Sequence, residues 1–394
     1  MSGPLTGLCV LDLTSVILGP MTGQYLGDMG ADVIKVESPE GDVTRTIGPR
    51  RAEGMGALFL ANNRNKRSIV LDLKSALGQA ALLRLAAGAD VLLHSIRTDA
   101  AARIGLTYAK LCVANPRLIY CHVKGFADDG PYGGRPAYDD IIQALSGLAM
   151  LQKIAAGEPR YVPSIVADKV TAVHAAYAIA LALFHRERTG QGQEVGVPML
   201  ETMVAFNMIE HLGGAVFEPP VGAMGYEPIR QGMRRPFATQ DGFLCMLPYN
   251  DPHWAHFFAL AGRADLAANP VFATMRGRQA NLGTVWTEVG AIVAGRSSAA
   301  WAALLAGTDI PHAVLNDLED LLDDPHLVAT GFWQMANDPG QGTLRLPANP
   351  IQMPASPPSI RHLPPRLGQH TAEVLTAHGF DTRAIAALMK TTCQ

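Results

Sequence analysis

Short runs rich in β-branched residues alternate with helical segments through the first 125 residues of the chain, and this alternation constrains the fold more than any other feature. A strand–helix–strand order predicts parallel strands joined by right-handed crossovers, and therefore a doubly wound α/β sheet. The predicted strands are Leu8–Leu13, Asp32–Glu37, Ser68–Asp72, Asp90–Leu93 and Leu118–Val123. The predicted helices are Met21–Met29, Ser75–Ala87 and Tyr108–Ala114.

Sheets of this kind bind ligands at the carboxyl ends of their strands. We therefore expect the site in the loops that follow Leu13, Glu37, Leu93 and Val123. The chain contains no G-x-G-x-x-G, no P-loop, no H-E-x-x-H and no G-x-S-x-G sequence. NAD enzymes, P-loop enzymes, zincins and serine hydrolases are therefore not supported by their usual motifs.

Composition indicates a globular protein with a large core. The chain has 394 residues, of which 48% are hydrophobic and 17% charged, so about two domains are expected. Its 32 basic and 35 acidic residues are scattered, which argues against a nucleic-acid partner. An odd number of cysteines without a C-x-x-C pair argues against disulfides and against a metal site. The cysteines are Cys9, Cys112, Cys121, Cys245 and Cys393.

The expected location is the cytoplasm. Residues 1–7 lack the basic and apolar regions of a secretory signal. The longest apolar run, Ala175–Phe184, is too short to cross a bilayer and is interpreted as part of a buried helix, so no membrane partner is expected.

Glycine and proline mark the expected domain boundaries. Residues 1–212 are predicted to form the N-terminal part of a large domain, followed by a linker over 213–236. Residues 237–331 are predicted to form a smaller α+β domain. An extended return segment and C-terminal helices over 332–394 are expected to complete the large domain, which is then built from both termini.

Asp168 is the candidate catalytic residue. It precedes an alanine-rich helix predicted over Lys169–Arg188, which places it at or near the N-cap. Partial positive charge at a helix N-terminus stabilises an anion, so we expect Asp168 to be ionised at neutral pH and able to attack an acyl group. Aspartate is also a preferred N-cap without any chemical role, and position alone leaves both interpretations open.

Many short motifs occur in the order found in the family III CoA-transferases, and the chain resembles that family most densely up to about Glu201. The matching segments are Leu5–Leu13, Gly19–Pro20, Leu26–Glu37, Gly41–Asp42, Asn63–Ser68, Leu71–Lys74, Ala89–Leu92, Gly130–Tyr132, Tyr138–Asp139, Gln143–Gly147 and Arg188–Gly192. The resemblance implies a homodimer of two interlocked chains, in which each large domain is closed by a small domain.

The resemblance also implies a mechanism. The family aspartate that matches Asp168 attacks an acyl-CoA thioester, and anhydride and aspartyl-CoA thioester intermediates carry coenzyme A to an incoming carboxylic acid. Acyl-CoA and a carboxylic acid are then the substrates, and no permanently bound cofactor or metal is required. The residues implied to contact the substrate are Val16, Leu71, Ser95, Ile96 and Arg103 for CoA, and Tyr138 for the acyl group. A packed valine, an exposed arginine and a core tyrosine are the alternatives for Val16, Arg103 and Tyr138.

Departures from the family pattern leave other functions open. Ile17 replaces a glutamine of formyl-CoA transferase, which predicts a more apolar site, and His94–Asp99 differs from the common Glu-Asn-Phe-Arg-Pro-Gly. One alternative is an α-methylacyl-CoA racemase, which uses a histidine and an aspartate, but Tyr138 stands at the histidine position. A CoA-binding protein without turnover is the other alternative. His174 is interpreted as structural.

Overall fold

A computed structural model describes residues 3–391 of the chain, so Cys393 and the first two residues of the N-terminal segment lie outside the described residues. The chain forms two compact units. The large unit takes up residues up to 150, 160–207 and 328 onward, and the small unit takes up 151–159 and 208–327. Residues 213–236, predicted as a linker, belong to the small unit and include a 3-10 helix, Gly213–Val216.

A six-stranded, fully parallel sheet forms the centre of the large unit and confirms the predicted doubly wound layout. Its strand order is β3-β2-β1-β4-β5-β6. The strands are β1 (Cys9–Leu13), β2 (Asp32–Glu37), β3 (Lys66–Val70), β4 (Val91–His94), β5 (Ile119–Lys124) and β6 (Gln193–Pro198). Strand β3 begins two residues before the predicted strand, because Lys66 pairs with the buried Asp12 of β1 and Arg67 pairs with the partly exposed Asp32 of β2.

Helices cover both faces of this sheet. The helices before β6 are α1 (Leu18–Asp28), α2 (Ala57–Asn62), α3 (Ala76–Ala87), α4 (Thr98–Arg103), α5 (Tyr108–Ala114), α6 (Asp139–Leu145), α7 (Leu148–Ala156) and α8 (Val166–Thr189), and α9 (Met199–His211) follows it. Helix α1 begins before its predicted start at Met21, since Pro20 lies in its first turn, where a missing N–H costs no helical hydrogen bond. Helix α8 ends at Gly190, whose φ of 77° is left-handed.

Two hydrophobic layers hold the large unit together. On one face of the sheet, Leu11 and Leu92 pack with α3 and α5 and with Val374 and Leu388 from the C-terminal helices α18 (Thr371–Ala377) and α19 (Thr382–Thr391). The other face packs against α1 and α8. By length and composition α8 is also the one described helix that could cross a membrane, but nearly half of its apolar window is buried inside the protein.

The C-terminal segment returns to the edge of the sheet at β3. The backbone N–H of Asn65 donates to the carbonyl of His362 (2.8 Å), and His370 donates to the carbonyl of Ser68 (2.9 Å). A β-hairpin, β10 (Trp333–Asp338) with β11 (Gly342–Pro347), precedes this segment. Both ends of the described chain therefore contribute to the large unit.

The small unit has its own aromatic core. Its three-stranded antiparallel sheet consists of β7 (Phe237–Ala238), β8 (Phe243–Met246) and β9 (His312–Val314). Trp254, Phe257 and Trp301 pack among its helices. These helices are α10 (Glu227–Arg230), α11 (Asp251–Leu260), α12 (Ala264–Ala268), α13 (Pro270–Ala273), α14 (Met275–Ala280), α15 (Leu282–Ala294) and α16 (Ser298–Leu305), and α17 (Pro325–Ala329) follows β9.

Two fully buried ion pairs join β1 to β3 and β2 to the loop that follows it. Lys66 donates to Asp12 at 2.8 Å, and Lys35 donates to Asp42 at 2.9 Å; all four side chains are shielded from solvent. Lys35 also donates to the carbonyl of Thr14 at 2.9 Å, so this pair anchors the loop between β1 and α1. Burial lowers the pKa of Lys66 to about 8, although Asp12 opposes the effect.

Replacement of Lys66 by methionine should destabilise the large unit. The change leaves the Asp12 carboxylate buried without its cation, which costs about 3 to 5 kcal/mol of unfolding free energy. Urea unfolding followed by circular dichroism measures the loss. Lys110→Met, on the exposed face of α5, is the matched control and should change stability by less than about 0.5 kcal/mol. Equal unfolding midpoints for Lys66→Met and the control would contradict this role.

Candidate active site

A cavity of about 460 Å³ opens at the carboxyl edge of the sheet, where the fold class predicts a ligand site. The loops after β1, β4 and β5 line it, together with the start of α8. Four predicted site residues meet here: Val16, Ser95, Tyr138 and Asp168.

A second cavity of about 660 Å³ lies on the same edge and receives two more predicted residues, Leu71 and Ile96. Ser15 and Ser95 line both cavities, so the two spaces are neighbours. Arg103, the exposed last residue of α4, is not among the described residues that line either cavity, although its neighbour Ile104 is. The structure therefore does not bring Arg103 together with the other predicted residues.

The loop after β1 is held in an unfavourable conformation at Val16. This residue has a φ of 71°, which is strained for a β-branched side chain. Surrounding groups fix it: its N–H donates to Asp42 (3.3 Å), and the Asn62 amide donates to the carbonyl of Ile17 (3.1 Å). Val16 is half-buried at the cavity wall and is not an ordinary core valine.

Asp168 is the third residue of α8, and Ile165 occupies the N-cap position without a side-chain bond to the helix. The cap comes instead from Asp139, the first residue of α6. One Asp139 oxygen accepts the backbone N–H of Ala167 (2.7 Å) and of Asp168 (3.2 Å). The other accepts from the Gln143 amide at 2.6 Å. Asp139 and Gln143 are thus site residues that the sequence motifs contain but that the predicted set omits.

This arrangement corrects the expected ionisation of Asp168. Burial, followed by the negative charge of Asp139, raises the pKa of Asp168 to about 7, while the Leu18 N–H at the start of α1 opposes the shift. Asp168 was expected to be ionised at neutral pH, because the N-terminus of its own helix would stabilise the carboxylate. That positive terminus is already occupied by Asp139, so the Asp168 carboxyl ionises less readily than a free aspartate.

Tyr138 lies at the rim of the cavity. It occupies the N-cap position of α6, and 69% of its surface is exposed, so the core-tyrosine alternative is wrong. The expectation of a site more apolar than that of formyl-CoA transferase stays a prediction. Ile17 is buried and does not line the cavity, whereas Arg97, Lys124 and Arg135 do.

Two histidines stack at the ends of β4 and β5. The rings of His94 and His122 are 4.2 Å apart and nearly parallel, because the two residues are register partners. Burial lowers the pKa of His122 to about 4, and His122 lines the cavity. Neither histidine was predicted as a site residue. His174 is exposed on α8, and its ring nitrogen contacts the Val170 carbonyl away from both cavities.

Metal ligation has no basis in the described part of the chain. Within residues 3–391, no group of three or more histidine, cysteine, aspartate or glutamate side chains is arranged to hold a metal ion. The polar side chains of the site carry carboxyl, hydroxyl, imidazole and cationic groups, and apolar side chains such as Phe126 and Met199 line it as well.

Comparison with known proteins identifies the family of the chain. The model of CoA-transferase family III matches residues 5–371. A succinate–glutarate CoA-transferase of Agrobacterium fabrum is 35% identical over 94% of this chain and 95% of its own length. A succinyl-CoA:mesaconate CoA-transferase of Haloarcula hispanica is 34% identical over 96% and 98%.

Solved structures show the same fold. A CAIB/BAIF family protein from Brucella suis has a TM-score of 0.83 and 32% identity, and the match covers 96% of this chain and all of that one. A D175A mutant of Rv3272 from Mycobacterium tuberculosis has a TM-score of 0.83 and 29% identity, with 95% and 99% covered. The chain belongs to CoA-transferase family III, and it is a CoA-transferase.

Proposed function

We propose that this enzyme moves coenzyme A from an acyl-CoA to a carboxylic acid through covalent intermediates on Asp168. The observation that carries the proposal is the placement of this carboxyl group in a cavity that shares Ser15 and Ser95 with a larger neighbouring cavity. The larger cavity offers space for CoA, and Ser15 and Ser95 mark the passage by which its thiol reaches Asp168.

Each step of the proposed cycle exchanges one carboxyl derivative for another. The Asp168 carboxylate attacks the thioester carbonyl, the C–S bond breaks, and a mixed anhydride and the CoA thiolate result. The thiolate then attacks the aspartyl carbonyl and releases the donor acid, which leaves an aspartyl-CoA thioester. The acceptor carboxylate attacks this thioester and expels the thiolate. Attack of the thiolate on the new acyl carbonyl forms the product and restores Asp168, with no net gain or loss of protons.

Two contacts suit Asp168 to this role. The Leu18 N–H lies close enough to oppose the rise in the Asp168 pKa, and we propose that it donates to the oxygen that becomes negative when the aspartyl carbonyl is attacked. Asp139 holds the backbone of Ala167 and Asp168, which fixes the position from which the carboxylate attacks.

Short dicarboxylic acids are the substrate class that we propose. The relatives from Agrobacterium fabrum and Haloarcula hispanica are named for succinate and glutarate and for succinyl-CoA and mesaconate. The cationic residues Arg97, Lys124 and Arg135 on the cavity wall support the same class for this enzyme.

We also propose that the enzyme is an interlocked homodimer. One face of α8 exposes four large apolar side chains, each at least half exposed: Val173, Tyr177, Leu181 and Phe184. Their spacing of four, four and three residues places them along a single stripe. An exposed apolar stripe of this kind is typical of an interaction surface, and in the proposed dimer a second copy of the chain buries it.

Substitution of the nucleophile tests the covalent mechanism. Asp168→Asn keeps the shape of the side chain but cannot form the anhydride, so CoA exchange should fall by at least about a thousandfold while CoA still binds. Mass spectrometry of new acyl-CoA and calorimetry with CoA provide the two readouts. Asp140→Asn, an exposed neighbour of Asp139, is the control and should retain exchange. Undiminished exchange by Asp168→Asn would refute the assignment.

The pH profile tests the coupling of Asp168 to Asp139. Only ionised Asp168 attacks, so kcat/KM should rise through about pH 7 and then level off, following the raised pKa. Asp139→Asn keeps an oxygen acceptor for the α8 terminus but removes the repelling charge. Its acidic limb should therefore move to lower pH by about one unit. A limb that stays at the wild-type position would show that Asp139 does not set this pKa.

Dilution tests the dimer. Interlocked chains cannot separate without unfolding, so light scattering should give twice the chain mass at every concentration down to the detection limit. Urea should then produce monomers only together with loss of circular dichroism. A folded monomer that reassociates reversibly on concentration would exclude interlocking.

A further inference from the structure

We propose that Arg135 binds the second carboxylate of a dicarboxylic substrate and thereby determines which acids the enzyme accepts. The inference rests on the proposed function, because it assigns the acid specificity of the same cavity. It adds a residue that the sequence motifs did not single out.

The guanidinium of Arg135 contacts an aromatic ring, and no carboxylate of the described residues neutralises its charge. It lies 4.7 Å from the centre of the Tyr132 ring, and Tyr132 meets Phe126 edge-on at 5.4 Å. Phe126 is buried and supports the Tyr132 ring, and the exposed Arg135 guanidinium lies over that ring at the cavity wall. Within residues 3–391 the Arg135 side chain makes no ion pair with a carboxylate. A planar guanidinium of this kind matches a carboxylate through two parallel hydrogen bonds.

The other cations of the cavity are less suited to this task. Lys124 is paired with Asp128 at 2.5 Å, and Thr98 donates to the other Asp128 oxygen at 3.0 Å. Arg97 follows Ser95 and Ile96, which line the neighbouring cavity proposed for CoA. Arg135 stands instead in the loop before α6, three residues ahead of Tyr138, on the wall proposed for the acyl group.

The charge of the cavity changes during the proposed cycle. Three cationic side chains and two carboxylates, Asp128 and Asp168, line it in the free enzyme. Once Asp168 carries an acyl group or CoA it is neutral, so the three cations face a single anion. The acceptor acid binds at this stage, when attraction for a doubly charged acid is greatest.

One carboxylate of the acceptor must reach the Asp168 carbonyl in order to react. The second carboxylate can then be held at Arg135 within the same cavity. When a monocarboxylic acid of equal length is bound, the Arg135 guanidinium stays hydrated. The bound monocarboxylic acid therefore lacks the hydrogen-bonded ion pair that a dicarboxylic acid forms. Selection therefore acts on the remote end of the acid and leaves the chemistry at Asp168 unchanged.

Acceptor pairs matched in length test the inference. With butyryl-CoA as donor, kcat/KM is measured for glutarate and adipate, and for valerate and hexanoate, by chromatography of the new acyl-CoA. Arg135→Gln should lower kcat/KM for the dicarboxylates by at least about tenfold and change the monocarboxylates by less than about twofold. Arg135→Lys should restore part of the loss. Arg117→Gln, an exposed arginine paired with Glu187, is the control and should change neither class.

Other results would overturn the proposal in recognisable ways. An equal fall for both acid classes, or a slower reaction of the enzyme with butyryl-CoA alone, would assign Arg135 to CoA binding or to structure. An unchanged ratio between the classes would show that Arg135 does not select acids.

A binding measurement separates this inference from the proposed transfer reaction. Calorimetry with glutarate and valerate on the CoA-loaded wild type and Arg135→Gln needs no turnover. Glutarate should bind the wild type and lose about tenfold in affinity in the variant, while valerate should not discriminate between them. If the wild type transferred CoA to none of these acids, the transfer proposal would fail while the binding role of Arg135 would stand. Equal glutarate affinities would refute the role of Arg135.

Discussion

The geometry of the site depends on buried ion pairs that hold the loops around it. Lys35 is fully buried between Asp42 and the carbonyl of Thr14, and it ties the carboxyl end of β1 to the loop after β2. That anchoring keeps Val16 at a positive φ, which an unrestrained chain would relax. Because the same loop leads into α1 and its Leu18 N–H, the internal charges also fix the donor that faces Asp168.

Sequence periodicity predicted the sheet well, because buried parallel strands and their crossover helices have strong patterns. It failed where charge replaced hydrophobicity: Lys66 and Arg67 lie in β3 since they have partners across the sheet, which no local pattern reveals. Val16, Ser95, Tyr138 and Asp168 were brought together by topology, whereas exposed Arg103 was not.

The error about Asp168 has the same origin. A helix start predicts a stabilised carboxylate, but the acceptor that satisfies this start comes from Asp139, 29 residues earlier in the chain. Long-range capping of this kind is invisible to helix rules, which consider neighbouring residues. The His94–His122 stack was missed for a similar reason, as it requires the register of β4 against β5.

The return of the C-terminal segment to β3 has a consequence for biosynthesis. The layer that holds Leu11 and Leu92 also needs Val374 and Leu388, which are synthesised after the six strands of the sheet. The small unit consists of residues 208–327 and the short segment 151–159. The residues of its aromatic core all lie within 208–327. The core of the small unit can therefore form without the C-terminal helices, whereas the core of the large unit is incomplete until they pack.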